Sequence, residues 1–157
     1  MAIPLRVRGL LGLALLVLSP GCRTLPPAPP VDLTAPGWTL LRGQAEWHPP
    51  QHRPEIAGEL ILATNRSGDF LVQFSKIPFP IVSAQTTGNR WQIEFGAREH
   101  AWAGAGPPPR RWLWFQLPPG LAQAPLAAPW QFENLPDGRW RIFNPRTGEA
   151  LEGGFFP

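Results

Sequence analysis

The stretch Glu59–Phe95, "ELILATNRSGDFLVQFSKIPFPIVSAQTTGNRWQIEF", decides the fold. It divides into "GELILATN", "DFLVQFSK" and "NRWQIEF", with an apolar connector, Ile77-Pro78-Phe79-Pro80, after the second segment. Phe70, Val72 and Phe74 alternate with Leu71, Gln73 and Ser75, and Trp91, Ile93 and Phe95 alternate with Gln92 and Glu94. Alternation with period two predicts half-buried strands, apolar on one face and wet on the other. Asn65-Arg66-Ser67-Gly68-Asp69 and Thr86-Thr87-Gly88-Asn89 carry turn chemistry and predict hairpins. The connector is the anomaly, because a turn between two such strands is normally polar.

Outward from that stretch, the chain reads as more strands. "WTLLRGQAEW" from Trp38 places Leu41, Ala45 and Trp47 on one side, and "HPPQHRPE" after it is a loop. "IVSAQ" follows the connector, "EHAWAGAG" follows Phe95, and "WQFEN", "RWRIFN" and "GEALEGGFF" form a closing meander with turns at residues 136–138 and 145–148. The expectation is eight or nine short strands. One helix of about two turns is predicted in "RRWLWFQLPPGL", because Pro107-Pro108-Pro109 suits a helix start and Pro118-Pro119 suits its end. Its stripe holds Trp112, Phe115 and Gln116, with Leu113 and Leu117 alongside; a strand is the competing reading, since Trp and Phe favour sheets.

Composition agrees with a mainly β domain. A chain of 157 residues supports one core, here residues 38–157. Its 22 prolines cluster so that no long helix passes through residues 26–30, 49–54, 107–109 or 118–129. Eight Trp and nine Phe must build a core or line something apolar. The basic balance is weak: without Arg6 and Arg8 the chain has 12 basic against 11 acidic residues, a net +1, and this excludes a nucleic-acid footprint.

Residues 1–21 read as a lipoprotein signal peptide: Arg6 and Arg8, an apolar run Leu10–Leu18 too short to span a bilayer, and a Pro-Gly break before Cys22. A small residue before a lone Cys resembles a bacterial lipobox, although Ser19 stands where Leu is usual and Pro20 lies beside the cleavage site. Acylation of Cys22 gives the single thiol a role in an oxidising compartment; a secreted protein with a free thiol is the alternative. Acyl chains at about 0.8 kcal/mol per buried methylene hold a protein at a membrane. The tract 22–37, "CRTLPPAPPVDLTAPG", then reads as an extended, unpacked Pro-rich tether.

Catalytic chemistry is not expected. His48 and His52 straddle Pro49-Pro50, so their i, i+4 spacing is not on a helix and no metal site follows. His100 beside Glu99 reads as a surface residue. Ser67, Ser75 and Ser83 lack a nucleophile-elbow pattern, and Gly104-Ala105-Gly106 is followed by prolines rather than a helix N-terminus. Asn65-Arg66-Ser67 fits a glycosylation sequon by chance. No cofactor is expected, and the chain reads as a non-enzymatic monomer.

A sheet with one apolar face must pack on something or curl around something, and one short helix is a thin cover for so many strands. A curled sheet partly plugged by a helix leaves an apolar cavity, whereas a filled sandwich core is the plain alternative. Lipobox, tether and element order together resemble LolB, the family of outer-membrane lipoprotein receptors, in a shortened form. "FLVQFSKIPFPIVSAQ" is similar to the family's strand, apolar-tipped loop and strand; "PPPRRWLWFQLPPG" resembles its helix with Trp and a Leu-Pro exit; "DGRWRIFN" resembles its late Gly-x-x-Trp strand.

The resemblance implies an open antiparallel half-barrel of the LolA/LolB-like kind with one plugging helix. Its inner face would bind acyl chains of lipoproteins or lipids, lined by Leu60, Leu62, Phe70, Val72, Phe74, Trp91, Ile93, Phe95, Trp112, Phe115, Trp140 and Ile142. Phe79, with Ile77 beside it, would stand at the loop tip that helps insert cargo into the membrane. It further implies a domain anchored through Cys22 to the outer membrane and facing the periplasm, with a LolA-like periplasmic carrier as a possible donor. Arg23 lacks the acidic character that retains such proteins at the inner membrane. The family runs further past the Trp140 strand, so a shallower cavity is expected here. A structural or partner-binding envelope lipoprotein with a filled core is the other reading.

Overall fold

A computed structural model describes residues 28–51, 53–96 and 100–157. Cys22, the signal segment, His52 and Glu99 lie outside them. The alternating segments become nine strands: β1 (Trp38–His48), β2 (Ile56–Asn65), β3 (Phe70–Lys76), β4 (Phe79–Thr87), β5 (Arg90–Phe95), β6 (His100–Ala105), β7 (Gln131–Asn134), β8 (Trp140–Phe143) and β9 (Ala150–Phe155). One helix, α1 (Leu113–Leu121), joins β6 to β7.

All nine strands belong to one antiparallel sheet, in the order β6-β5-β4-β3-β2-β1-β9-β8-β7, and the sheet is not closed into a barrel. The mainly β, open antiparallel architecture, with a single short α-helix among the described residues, is therefore the expected one. Register puts the apolar set on one face: Leu60 opposes Phe74, Leu62 opposes Val72, Ala84 opposes Ile93, and Ile142 opposes Leu151. A one-residue slip would turn each of these side chains to the wet face, so burial itself fixes the register.

Neighbouring strands approach closely around Ala45 in β1, which faces Gly58 of β2 on one side and Gly153 of β9 on the other. A Cβ on Gly58 would lie 2.5 Å from the Ser75 carbonyl oxygen, and one on Gly153 would lie 2.5 Å from that of Gln44. Glycine in a strand marks such close backbone approaches and sheet bends. At these two positions only glycine lets the neighbouring backbones come so close.

Helix α1 has little intrinsic support. Its N-cap, Trp112, makes no side-chain cap bond, its ends carry no complementary charge, and Pro118 and Pro119 lie inside it. Sequence reading ends the helix at those prolines; instead it runs on to Leu121, with the Ala122 amide donating to the Pro118 carbonyl. Burial outweighs propensity here. Leu113, Trp114, Phe115, Gln116, Leu117 and Gly120 are all buried, so the helix is enclosed on nearly every side rather than along one stripe. A Cβ on Gly120 would be 2.7 Å from the Phe132 ring, so glycine sets how closely the helix meets β7.

The described part of the Pro-rich segment, read as an unpacked tether, is held to the sheet at its start, at Ala28 and Pro29. The Ala28 amide donates to Gln92 Oε1 at 2.6 Å, and Gln85 Nε2 donates to the Pro29 carbonyl at 3.1 Å. Gln85 and Gln92 oppose one another on β4 and β5 and alternate with the inner-facing Ala84 and Ile93, so they lie on the outer face. The chain then reaches Trp38, which pairs with Asn65 at the end of β2. Between these points residues 29–37 are exposed or half-buried. Prolines remove donors but leave carbonyls, and two glutamine side chains are enough to capture the segment.

Candidate functional site

The residues expected to line a cavity do converge, and they are packed. Leu60, Val72, Phe74, Ile93 and Ile142 are fully buried, and Leu62, Phe70, Phe115 and Trp140 are nearly so, in one cluster that includes the helix. Trp91, Phe95 and Trp112 are half-buried against it. The plug is Trp114: its ring lies 5.3 Å from Trp47 and 5.5 Å from Phe74, between the helix and the inner face. Two of the surface grooves among the described residues, of about 710 Å³ and 630 Å³, are lined by none of the twelve expected cavity residues.

Sequence reasoning missed Trp114, because the helical stripe was drawn through Trp112, Phe115 and Gln116. The signal was present in "WLWF": four successive large apolar residues mark a helix surrounded on all sides, not an amphipathic one.

The half-buried aromatics form an open rim between α1 and the β5–β6 edge. Trp91 meets Trp112 at 5.6 Å and Phe115 at 5.9 Å, and Trp102 meets Phe95 at 6.0 Å and Trp112 at 5.7 Å. Trp102 remains 42% exposed, with the His100 ring stacked on it at 6.1 Å and the Arg111 guanidinium 4.6 Å above Trp112. The Trp91 ring lies over Gly104 of β6, where a Cβ would be only 2.5 Å away. Offset and edge-on contacts of this kind favour the cluster by about 0.5–1.5 kcal/mol per pair beyond burial. The indole N–H groups of Trp114 and Trp140 are buried with no acceptor.

The connector is tighter than the sequence suggests. β3 continues to Lys76 and β4 starts at Phe79, so only Ile77 and Pro78 form the turn. Lys76 opposes Phe79 and Ser75 opposes Pro80, after a bulge in the ladder next to Phe74. Ile77 and Phe79 both stand 69% exposed. Phe156, 58% exposed, lines the same groove as Ile77, together with Lys76 and Arg139, so a third apolar side chain shares this end of the sheet. Arg139 is paired with Glu152.

His48 Nδ1 lies 3.0 Å from Glu55, and among the described residues no group of three or more His, Cys, Asp or Glu is placed to hold a metal. Glu149 accepts a 3.2 Å bond from Trp47 Nε1, and burial pushes its carboxyl above the ordinary value despite that bond. No helix among the described residues is long and apolar enough to cross a membrane. Comparison with protein-family models, with curated proteins and with solved structures returns no match.

Proposed function

We propose that this chain is a lipid-anchored envelope protein that accepts an acyl chain between α1 and the inner face of the sheet and helps deliver it into the outer membrane. The observation that carries this reading is the hairpin end. Two large apolar side chains, Ile77 in the two-residue turn and Phe79 at the start of β4, are exposed beside Pro78 and Pro80, with Phe156 at the same end. Exposed apolar side chains clustered at the tip of a soluble domain are a feature of membrane or partner contact. Lys76 adds a cation beside them, suited to anionic headgroups.

Helix α1 is the movable wall of the acyl site. It is short, contains two prolines and has no N-terminal side-chain cap, and the aromatic rim borders it on the β5–β6 side. An acyl chain entering at Trp91, Trp102 and Trp112 replaces the helix's apolar contacts with its own. The unpaired indole N–H groups of Trp114 and Trp140 offer donors to an ester or amide carbonyl. Acylated Cys22 holds the domain at the membrane, and a periplasmic carrier of similar fold is the expected donor.

The test is titration of the folded Cys22→Ser protein with a soluble acyl-chain probe, followed by calorimetry. Saturable binding supports the proposal; no heat and no binding at high probe concentration, with the circular dichroism of a folded sheet, overturns it. The packed inner face favours a second reading, a structural or partner-binding envelope lipoprotein, and a null titration would leave that one standing.

A further inference from the structure

The two outermost strands of the sheet, β6 and β7, present unlike edges. β7 is four residues long, carries the exposed Glu133 and lies between Pro129 and Pro136. Short length, charge and proline are the devices that guard an edge against stray pairing. β6 has none of them. Its six residues, "HAWAGA", include no Pro, Lys, Arg, Asp or Glu, and its ladder to β5 runs without a bulge from His100 opposite Phe95 to Ala105 opposite Arg90. Among the described residues no strand pairs with its other side. His100, Ala101, Trp102 and Ala105 are exposed there, and Ala103 and Gly104 are half-buried.

The hydrogen-bond pattern fixes what this edge offers. The Gly106 amide donates to the Asn89 carbonyl, so Gly104, Trp102 and His100, at two-residue steps from it, also turn their N–H and C=O toward β5. Ala101, Ala103 and Ala105 turn theirs outward. The backbone groups that the ladder leaves unpaired thus belong to alanines, whose small side chains share the outer face with Glu94, Gln92 and Arg90.

We propose that β6 is a self-association edge, to which a second copy of this chain adds its own β6 antiparallel about a twofold axis at Ala103. The inference follows from strand geometry and rests neither on Cys22 nor on acyl binding. In this register Ala103 faces Ala103 of the second copy and Ala101 faces Ala105, so all three outward-facing alanines are used, and each pair exchanges two N–H···O=C bonds. Between them Trp102 falls opposite Gly104 of the second copy, twice by symmetry, at positions where Cα atoms approach to about 4.5 Å. The strand therefore sets its one large side chain against its one glycine. The Trp91 ring already lies over Gly104, so the incoming indole comes beside an aromatic neighbour, a cross-strand pairing of the kind that stabilises sheets. His100, the one titratable residue of the strand, falls opposite Gly106, and no like charges meet. An isologous contact needs this self-complementarity, and "HAWAGA" has it.

Sedimentation velocity of the Cys22→Ser chain over a concentration series should show a reversible monomer–dimer equilibrium. Ala103→Pro removes an amide that faces away from β5, so it spares the fold, deletes the central pair of bonds and should weaken the dimer about tenfold or more. Glu133→Ala, on the guarded edge, should leave the equilibrium unchanged. In mixed dimers of isotope-labelled and unlabelled copies, filtered nuclear magnetic resonance spectra should connect Trp102 Hα of one copy to Gly104 Hα of the other. A parent chain that stays monomeric up to its solubility limit overturns the proposal, as does a dimer that Ala103→Pro leaves intact while its circular dichroism is that of the folded sheet. Should Ala103→Pro fail to fold, the mixed-dimer spectrum of the parent decides: a dimer without that contact overturns the edge. None of these measurements involves lipid, so a null acyl titration leaves this inference standing and a monomeric chain leaves the acyl reading standing.

Discussion

Replacing Trp114 by Ala tests whether the helix plugs the sheet through this one side chain. Trp114 is fully buried, 5.3 Å from Trp47 and 5.5 Å from Phe74, and belongs to the same cluster as Phe115 and Leu117. Truncating a buried Trp or Phe costs about 3–5 kcal/mol, because transfer free energy is lost and a cavity remains. Against a total stability of about 5–15 kcal/mol for a domain, that is a large fraction. With an m-value of about 2 kcal/mol/M in urea, the midpoint should fall by about 2 M. Far-ultraviolet circular dichroism in urea measures it without relying on the lost indole. Trp114→Phe is the control: it keeps a ring in the site and removes a buried N–H that has no acceptor, so its loss should stay below about 1.5 kcal/mol. A soluble acyl ligand should restore part of the Trp114→Ala loss, by about 2.7 kcal/mol at a hundredfold excess over its dissociation constant. A cost below about 1 kcal/mol for Trp114→Ala would refute the plug, since the helix would then not depend on that contact.

Gly43→Ala would place a Cβ 2.1 Å from the Gly154 carbonyl oxygen, a backbone atom that cannot step aside, so it should lower stability by about 1–3 kcal/mol or more in a urea melt. Glu149 has its folded pKa raised above the ordinary 4.5 by burial, so the folded state binds its proton more tightly than the unfolded state does. Stability should accordingly fall as pH rises from the unfolded pKa through the folded one, and Glu149→Gln, which keeps an acceptor for Trp47 Nε1, should flatten that fall and be the more stable protein at pH 7. Phe79→Glu removes an apolar group that is 69% exposed, so the urea midpoint should move by less than about 0.5 kcal/mol equivalent, while vesicle binding by the Cys22→Ser protein should drop; a large stability loss would mean that Phe79 packs in the fold.

Much of the fold was legible because strands advertise burial through period two. Phe70, Val72 and Phe74, then Trp91, Ile93 and Phe95, alternate cleanly, and the structure puts both sets on the inner face. The turn residues Gly68 and Gly88 take positive φ where the turn chemistry placed them. Two features stayed hidden because they depend on tertiary contacts. Pro118 and Pro119 stop a helix by local rules, but the buried faces of Trp114 and Leu117 carry it past them. The Pro-rich segment reads as free chain because its own residues bury little; what holds it lies sixty residues away, in Gln85 and Gln92, where alternation assigned only wet positions. The same limit applies to the site. Alternation identified which side chains share the inner face, yet whether they enclose a space or fill it depends on the helix, whose all-round burial was written in "WLWF" and misread as a stripe.

The most direct test of the acyl-chain reading is a nuclear magnetic resonance measurement of the Cys22→Ser protein with a soluble acyl ligand, recording ligand-to-protein contacts. The account predicts contacts from the acyl methylenes to Val72, Ile93 and Leu117, side chains that are fully buried without ligand, together with faster amide exchange in α1. Contacts confined to Ile77, Phe79 and Phe156, or to the outer face of the sheet, with α1 unchanged, would contradict it.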